Sequence, residues 1–220
     1  MWVRWVMAFL FLTVGSAGGG RAEEVIGTKP LLPITRHDLA TILPSDYRIL
    51  ADPHSIEQFL EALDGAPPDW SQVYGQGHHD PGHDERLFTL NRERDAKRAG
   101  REALQWTVVF LWSGELSRYE PSVGGFSIVM GPIFTATRWG LVRFKAEDLP
   151  GNLFVIPEVS QLDGLRRLVL AGQHINIAIV MIGKLLPEES LVYDFSHEEE
   201  GRGLIMPMVR IEQVEYLLAE

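Results

Sequence analysis

The sequence predicts a mixed α+β protein that is mainly β after residue 104. Short apolar runs with period-two alternation, bounded by glycines, fill the second half of the chain. Amphipathic helical spacing is clearest in only two segments, 55–65 and 160–172. Hydrophobic residues make up 45% of the 220 positions, and there is no cysteine. We therefore expect stability to come from a sizeable core and not from disulfides.

Residues 1–22 predict a secretory signal peptide. Arg4 precedes an apolar run from Trp5 to about Val14, and small residues then lead to Ala22. This run is shorter than the roughly 20 residues that cross a bilayer. We expect cleavage after Ala22 and a periplasmic or secreted protein without a membrane span.

The charge balance argues against nucleic acid as a partner. The chain has 20 Lys and Arg against 30 Asp and Glu, a net charge of −10, and loss of Arg4 and Arg21 with the signal peptide lowers it to −12. Such a surface repels nucleic acid over most of its area. The absence of cysteine also excludes thiol catalysis and a lipid anchor on an N-terminal cysteine.

Residues 23–54 predict an extended arm with one helical turn around His37–Ile42. Prolines interrupt this stretch at Pro30, Pro33, Pro44 and Pro53. Proline fixes φ and removes a backbone donor, which disfavours a long helix.

The segment SIEQFLEALDG, residues 55–65, predicts an amphipathic helix with Ser55 as its N-cap and Gly65 as its stop. Its apolar face consists of Ile56, Phe59, Leu60 and Leu63. Residues 75–91 have no hydrophobic period and predict a loop. Residues 92–104 are strong helix formers with almost no apolar stripe, so a short exposed helix is expected there.

Five strands and one helix are predicted in the second half. The strands are expected within 105–114, 124–131, 134–145, 175–183 and 208–218. The helix, 160–172, lies between the third and fourth strands. The first strand is apolar at both parities from Trp106 to Trp112, which indicates that both of its faces are covered. The phase of the last strand shifts between Ile211 and Val214, as one bulged residue would cause.

This element order matches a five-stranded Greek-key barrel of the OB type, with its helix between strands three and four. A twisted antiparallel sheet with one packed helix has the same order and stays open as an alternative. The chain accordingly divides into an N-terminal arm with helices and a His-rich loop, 23–104, and a β-rich domain, 105–220.

A possible metal site lies in the stretch GQGHHDPGHDERL, residues 75–87. Its candidate ligands for a divalent transition metal such as zinc are His78, His79, Asp80, His83 and Asp84. His79 and His83 have the i, i+4 spacing that would place both imidazoles on one helix face. The intervening Pro81 and Gly82 disfavour a helix, and they favour the alternative of a solvated polar loop.

A second polar cluster, YDFSHEEEGRG, predicts a charged hairpin tip between the last strands. Its polar residues include Asp194, Ser196, His197 and the three glutamates 198–200. Ser196 and His197 are adjacent in sequence, so their side chains point in different directions, and a hydrolytic Ser-His pair is not expected. A cation or a partner could contact this tip.

A basic island extends from Arg86 to Arg101, with six basic residues against Glu93 and Asp95. Its candidate contacts to an anionic surface are Arg94, Arg98 and Arg101. The alternative is that these arginines are solvated or pair with the acids at 198–200.

Many aromatic residues fall in the first three predicted strands, and most are expected in the core. Trp112 and Trp139 lie beside Ser or Gly near strand ends. We predict that these two are exposed and stack on a ligand such as a polysaccharide.

No spacing in the sequence specifies a catalytic set, so no catalytic residue is assigned. The sequence favours a non-enzymatic, exported binding or assembly module for an envelope protein or polysaccharide. The alternative is a metal-dependent hydrolase that uses the loop from His78 to Asp84, with Asp194 or His197 completing the site.

Overall fold

A computed structural model describes residues 39–76, 80–149, 151–197 and 201–218. The predicted signal peptide and the first half of the predicted arm, residues 23–38, lie outside these residues. So do two candidate metal ligands, His78 and His79, and the acids at 198–200.

Five α-helices precede or interrupt the strands. They are α1 (Leu39–Ile42), α2 (Pro53–Asp64), α3 (Trp70–Tyr74), α4 (His83–Arg98) and α5 (Val159–Leu170). A 3-10 turn spans Glu102–Gln105. No helix in the described part of the chain has the length and apolarity needed to span a bilayer.

Ten strands form a single mixed sheet. They are β1 (Arg48–Ile49), β2 (Thr107–Glu120), β3 (Gly125–Pro132), β4 (Thr135–Thr137), β5 (Gly140–Val142), β6 (Lys145–Glu147), β7 (Phe154–Val155), β8 (Asn176–Leu185), β9 (Leu191–Phe195) and β10 (Gly203–Leu218). The main path through the sheet is β4-β5-β10-β8-β2-β3-β7.

Strand β10 organises the sheet because its two halves have different neighbours. Its first half, 203–207, lies between β5 and β9. Its second half pairs antiparallel with β8, and β6 pairs with residues 208–210 on the opposite side. Its register shifts between Ile211 and Gln213, which confirms the predicted bulge.

The prediction of a mainly β, mixed α+β fold is confirmed. The barrel is not, since the sheet is open: β4 and β7 lie at opposite ends of the strand order. The pairing is also not purely antiparallel, because β1, β5 and β6 run parallel to their partners. The predicted third strand is in fact three short ones, β4 to β6.

Both faces of the central strands are buried. On β8, Ile177, Ile179 and Met181 point into the larger core with α2, α5 and the aromatic residues. Ala178, Val180 and Ile182 point to the other face, which residues from Leu39 to Ala51 cover. The continuous apolar run of β8 is therefore explained by burial of the strand on both faces.

Helix α2 has the apolar face expected from its sequence, since Ile56, Phe59, Leu60 and Leu63 are all buried. Its N-cap is Asp52, not Ser55, so that prediction is wrong by three residues. Ser55 occupies the N3 position of a capping box, where its hydroxyl and the Asp52 side chain exchange hydrogen bonds with each other's backbone.

The predicted loop 75–91 is wrong over its second half, because α4 already begins at His83. This helix has Asp84 and Glu85 in its first turn and Lys97 and Arg98 in its last, which suits the helix dipole. It lacks a continuous apolar stripe, so hydrophobic periodicity could not locate its start.

Candidate functional site

An open apolar groove lies on the outer face of the sheet, between α1 and strands β8 and β10. We call it the sheet groove. It has a volume of about 400 Å³ and is lined by Leu39, Ile42, Leu43, Pro44, Tyr47, Val180, Ile182, Gln213, Glu215 and Leu217. Val180 and Ile182 form part of its buried floor, while Ile42 on α1 is 47% exposed. Its size and apolar lining are within the range of ligand sites.

The polar residues of the sheet groove lie along β10. Residues 213, 215 and 217 share one face of this strand, since side chains alternate. The amide of Gln213 donates to a carboxylate oxygen of Glu215 at 2.5 Å, and Leu217 continues the row as an apolar contact. The groove therefore has an apolar floor and one polar wall.

The groove adjoins a strand edge. In the described residues, β6 pairs with β10 only as far as Arg210, and no strand pairs with 211–218 on the side away from β8. A strand edge of this kind presents backbone N–H and C=O groups that can pair with an added strand. Apolar pockets for alternate side chains beside such an edge are what a bound extended segment requires.

The three candidate binding arginines, Arg94, Arg98 and Arg101, do not face an external partner. Arg94 donates to the carbonyls of Asp64 and Ala66 at 3.3 and 2.6 Å, and Arg101 donates to the carbonyl of Ala62 at 3.2 Å. These carbonyls belong to the C-terminal end of α2, which has no basic residue of its own in its last turn. Cations stabilise a helix C-terminus, so Arg94 and Arg101 have an intramolecular role there.

Arg98 lies at the centre of a buried polar cluster, the Asp64 cluster. Its Nε and Nη2 donate to the two Asp64 carboxylate oxygens at 2.5 and 3.1 Å, and its Nη1 donates to Asp95 and to the Leu191 carbonyl. The Tyr193 hydroxyl also donates to Asp64. The side chains of Asp64 and Arg98 are 0% and 2% exposed, so this cluster joins α2, α4 and β9 inside the protein.

The environment of Tyr193 keeps its hydroxyl protonated. Burial, and then the adjacent Asp64 charge, raise the pKa of Tyr193 above its ordinary value. A neutral phenol remains a hydrogen-bond donor to the carboxylate, and this is the role the geometry gives it. The Asp64 cluster consists of contacts within the protein, and its role is structural.

Asp80, a candidate metal ligand, is used to fold its own loop. Its carboxylate accepts the backbone N–H of Gly82 and of Gln76 and pairs with Arg86 at 3.0 Å. These hydrogen bonds, with that from Gly82 the strongest, lower the pKa of Asp80 to about 2. Among the residues that the structure describes, no group of three or more acidic or histidine side chains could hold a metal.

His83 and Asp84 begin α4 and lie close to the hairpin at the end of β9. The His83 ring lies with its centre 4.9 Å from that of Phe195, at an interplanar angle of 55°. Its Nδ1 is 2.6 Å from the Asp80 carbonyl, and its Nε2 is 3.1 Å from Asp84. The described parts of the two polar segments singled out in the sequence, residues 80–84 and 194–197, are thus in contact through His83 and Phe195. The Ser196 side chain is buried, and His197 is exposed.

The expectation that Trp139 is exposed is wrong, since it is fully buried. It lies in the turn between β4 and β5, and the Trp70 indole donates to its carbonyl at 2.6 Å. Trp112 is half-buried against the main core, and its indole donates to the Phe144 carbonyl at 3.2 Å. Neither indole forms an open stacking platform for a sugar.

Sequence reasoning missed the sheet groove because its residues come from three distant segments. Its α1 side falls within the predicted arm, and its β10 side comes from the polar positions of the last predicted strand. The sequence did contain one indication. Val180 and Ile182 lie on the face of β8 that points away from the main core, and apolar side chains there require another segment to cover them.

The fold and the sheet groove define an α+β protein with an open mixed sheet and an apolar site beside a strand edge. Comparison of the chain with protein-family models, with curated proteins and with solved structures gives no match.

Proposed function

We propose that the protein is a non-enzymatic binding or assembly module of the cell envelope, which holds an extended segment of a partner protein in the sheet groove. The single observation that carries this proposal is the apolar groove beside the edge of β10 at residues 211–218, which no described strand pairs with on the side away from β8. Backbone pairing along the edge would supply affinity, and the groove would select apolar side chains.

A partner protein is favoured over an envelope polysaccharide by the positions of the two tryptophans. Sugar binding by stacking needs exposed aromatic faces, whereas Trp139 is buried and Trp112 is held against the core. The groove lining is mostly aliphatic, which suits side chains of a peptide.

Site-specific photo-crosslinking in intact cells tests this proposal. A photoreactive amino acid replaces Ile42 at the mouth of the groove, and the matched control carries it at Leu170 on α5, which is 75% exposed on another surface. We expect one dominant crosslinked protein, attached through an apolar extended segment, from position 42 only. Crosslinks that are the same from both positions, or none from position 42, would contradict the proposal.

The envelope location is proposed from residues 1–22, and it has its own test. We expect the protein in the periplasmic or secreted fraction with Glu23 as its first residue, as measured by mass spectrometry of the intact protein. An unprocessed chain that starts at Met1 and stays in the cytoplasm would contradict this location.

A metal-dependent hydrolase is the second candidate, and the contact between His83 and Phe195 is the observation that favours it. This contact places the loop beside the segment that carries Asp194 and His197. Metal content of the purified protein, with thermal stability on addition of zinc, tests it in the parent, in His83→Ala and in the control His174→Ala. The hydrolase requires bound metal that is lost in His83→Ala alone; equal metal content in all three proteins would exclude it.

A further inference from the structure

A second cavity lies between α4 and strands β9 and β10, and Arg143 is part of its lining. The cavity has a volume of about 490 Å³ and is lined by Asn91, Asp95, Arg143, Lys145, Glu189, Leu191, Val192, Met206 and Met208. We call it the Arg143 pocket. It is bounded by α4, β9, β10 and the link between β5 and β6.

A backbone hydrogen bond to β10 fixes the position of the Arg143 main chain. Its N–H donates to the Ile205 carbonyl at 3.0 Å, at the point where pairing with β10 passes from β5 to β6. Its side chain is half-buried, its guanidinium carbon lies 5.7 Å from the Phe134 ring centre, and its Nη2 contacts the Met206 sulfur at 3.0 Å.

The guanidinium of Arg143 has almost no hydrogen-bond acceptor in the described residues. Arginine carries five N–H donors, and a thioether is a weak acceptor. No described carboxylate lies within salt-bridge distance of Arg143, in contrast to Arg86, Arg98 and Arg138. A half-buried guanidinium without a carboxylate or carbonyl partner is suited to bind an external anion in a two-pronged geometry.

The other charges of the pocket are largely balanced within the protein. Asp95 pairs with Arg98 at 2.6 Å, and Lys145 pairs with Glu147 at 2.8 Å. Glu189 is exposed in the β8–β9 connection and makes no ion pair in the described residues. Arg143 is therefore the dominant positive group inside, while Glu189 lowers the affinity for an anion at the rim.

The rest of the lining is apolar and adaptable. Leu191 and Met208 are buried, and Val192 and Met206 are half-buried beside Arg143. Methionine side chains adjust to ligands of different shape. The combination of one available guanidinium with two thioethers and two aliphatic side chains fits a carboxylate that is attached to an apolar body.

We propose that the Arg143 pocket binds a carboxylate ligand with an apolar body, in which Arg143 pairs with the carboxylate and Met206 contacts the apolar part. Two sources have this chemistry: a free aliphatic acid, and the C-terminal carboxylate of a peptide that ends in an apolar residue. This site is separate from the sheet groove and does not depend on the proposed function.

Calorimetric titration of the full-length protein with two pairs of probes tests the proposal. The free-acid pair is hexanoate and hexanamide, and the peptide pair is an acetylated tetrapeptide that ends in leucine with either a free carboxylate or an amide. We expect at least one acid to bind the parent and its amide to bind at least tenfold more weakly. Binding of hexanoate identifies a free acid as the source, and binding of the peptide acid alone identifies a chain terminus.

The variants are Arg143→Gln, Arg143→Lys, Glu189→Gln and the control Arg118→Gln, whose side chain is 79% exposed on β2. Arg143→Gln should lose at least tenfold in acid affinity, Arg143→Lys should lose less, and Glu189→Gln should bind more tightly. Arg118→Gln should match the parent. No binding of either acid, or equal acid affinity in the parent and Arg143→Gln with unchanged circular dichroism, would overturn the proposal.

Discussion

At the scale of single residues, Arg98 is a buried cation whose partners come from α2, α4 and β9. It neutralises Asp64, whose side chain is fully buried, and its Nη1 also satisfies the Leu191 carbonyl of β9. Removal of one partner from a buried ion pair leaves an uncompensated charge, which costs far more than the pair itself contributes.

We therefore predict that Arg98→Gln destabilises the protein by about 3–5 kcal/mol. The matched control is Lys97→Gln, one residue earlier on α4, which is exposed and should change stability by less than about 0.5 kcal/mol. Urea unfolding followed by tryptophan fluorescence measures both. Similar unfolding midpoints for the two variants would show that Asp64 does not need Arg98.

Two buried tyrosines predict a loss of stability in alkali. Burial raises the pKa of Tyr193, with a further increase from Asp64, and burial likewise raises the pKa of Tyr216. The unfolded chain releases these protons near pH 10, while the folded protein retains them above that pH. The stability due to the two neutral hydroxyls is thus complete below about pH 10 and decreases as the pH rises beyond it.

Tyr216→Phe tests this dependence cleanly, because the Tyr216 hydroxyl has no hydrogen-bond partner in the described residues. We expect stability within about 1 kcal/mol of the parent at neutral pH, and a smaller loss of stability than in the parent above about pH 10. Urea unfolding at a series of pH values provides the comparison. An identical alkaline loss in parent and variant would contradict the burial of this hydroxyl.

The interpretation of Arg94, Arg98 and Arg101 as a basic surface missed partners that are distant in sequence. The carbonyls at the C-terminal end of α2 accept from Arg94 and Arg101, and the Asp64 carboxylate accepts from Arg98, about 30 to 40 residues earlier in the chain. The hydrophobic pattern of a segment indicates which of its own residues are buried. It does not indicate which carbonyl groups at the end of another helix lack a hydrogen-bond donor.

At the scale of elements, strongly periodic segments were predictable and charged ones were not. The bulge in β10 followed from a phase shift in the sequence, and α2 and α5 followed from their apolar faces. The start of α4 did not, because this helix is fixed by polar contacts: the Asn91 amide exchanges two 2.8 Å hydrogen bonds with the Tyr193 backbone along the outer edge of β9.

The close approach of α3 to β10 predicts that an alanine at Gly203 is destabilising, and Gly164 on α5 provides the comparison. A Cβ at Gly203 would overlap the Trp70 ring, which is fixed by its bond to the Trp139 carbonyl and by contact with Tyr193. A Cβ at Gly164, in the middle of α5, would meet nothing within 4 Å.

Gly203→Ala should therefore destabilise the protein by about 1–3 kcal/mol through overpacking. Gly164→Ala should stabilise it by about 0.5–1 kcal/mol, because alanine loses less backbone entropy in a helix. Thermal unfolding of the two variants beside the parent measures both effects. A Gly203→Ala protein as stable as the parent would mean that Trp70 does not cover β10.

At the scale of the whole molecule, the mixed α+β class was predictable, whereas the open form of the sheet was not. Alternating apolar runs indicate strands, and β8 with both parities apolar indicates two covered faces. Strand order and parallel pairing depend on contacts between distant segments, such as β5 and β6 with β10, which no local pattern reports. For the same reason, the sheet groove emerges only when α1, β8 and β10 are assembled.

The folded protein offers an open apolar groove between α1 and strands β8 and β10. Titration with Nile red, a neutral dye whose emission shifts to the blue in apolar sites, tests it directly in the parent, Ile42→Glu and Leu170→Glu. The groove predicts saturable binding by the parent and by Leu170→Glu, and at least tenfold weaker binding by Ile42→Glu, since that carboxylate enters the groove mouth. No saturable binding by the parent, or equal binding by all three proteins, would contradict it.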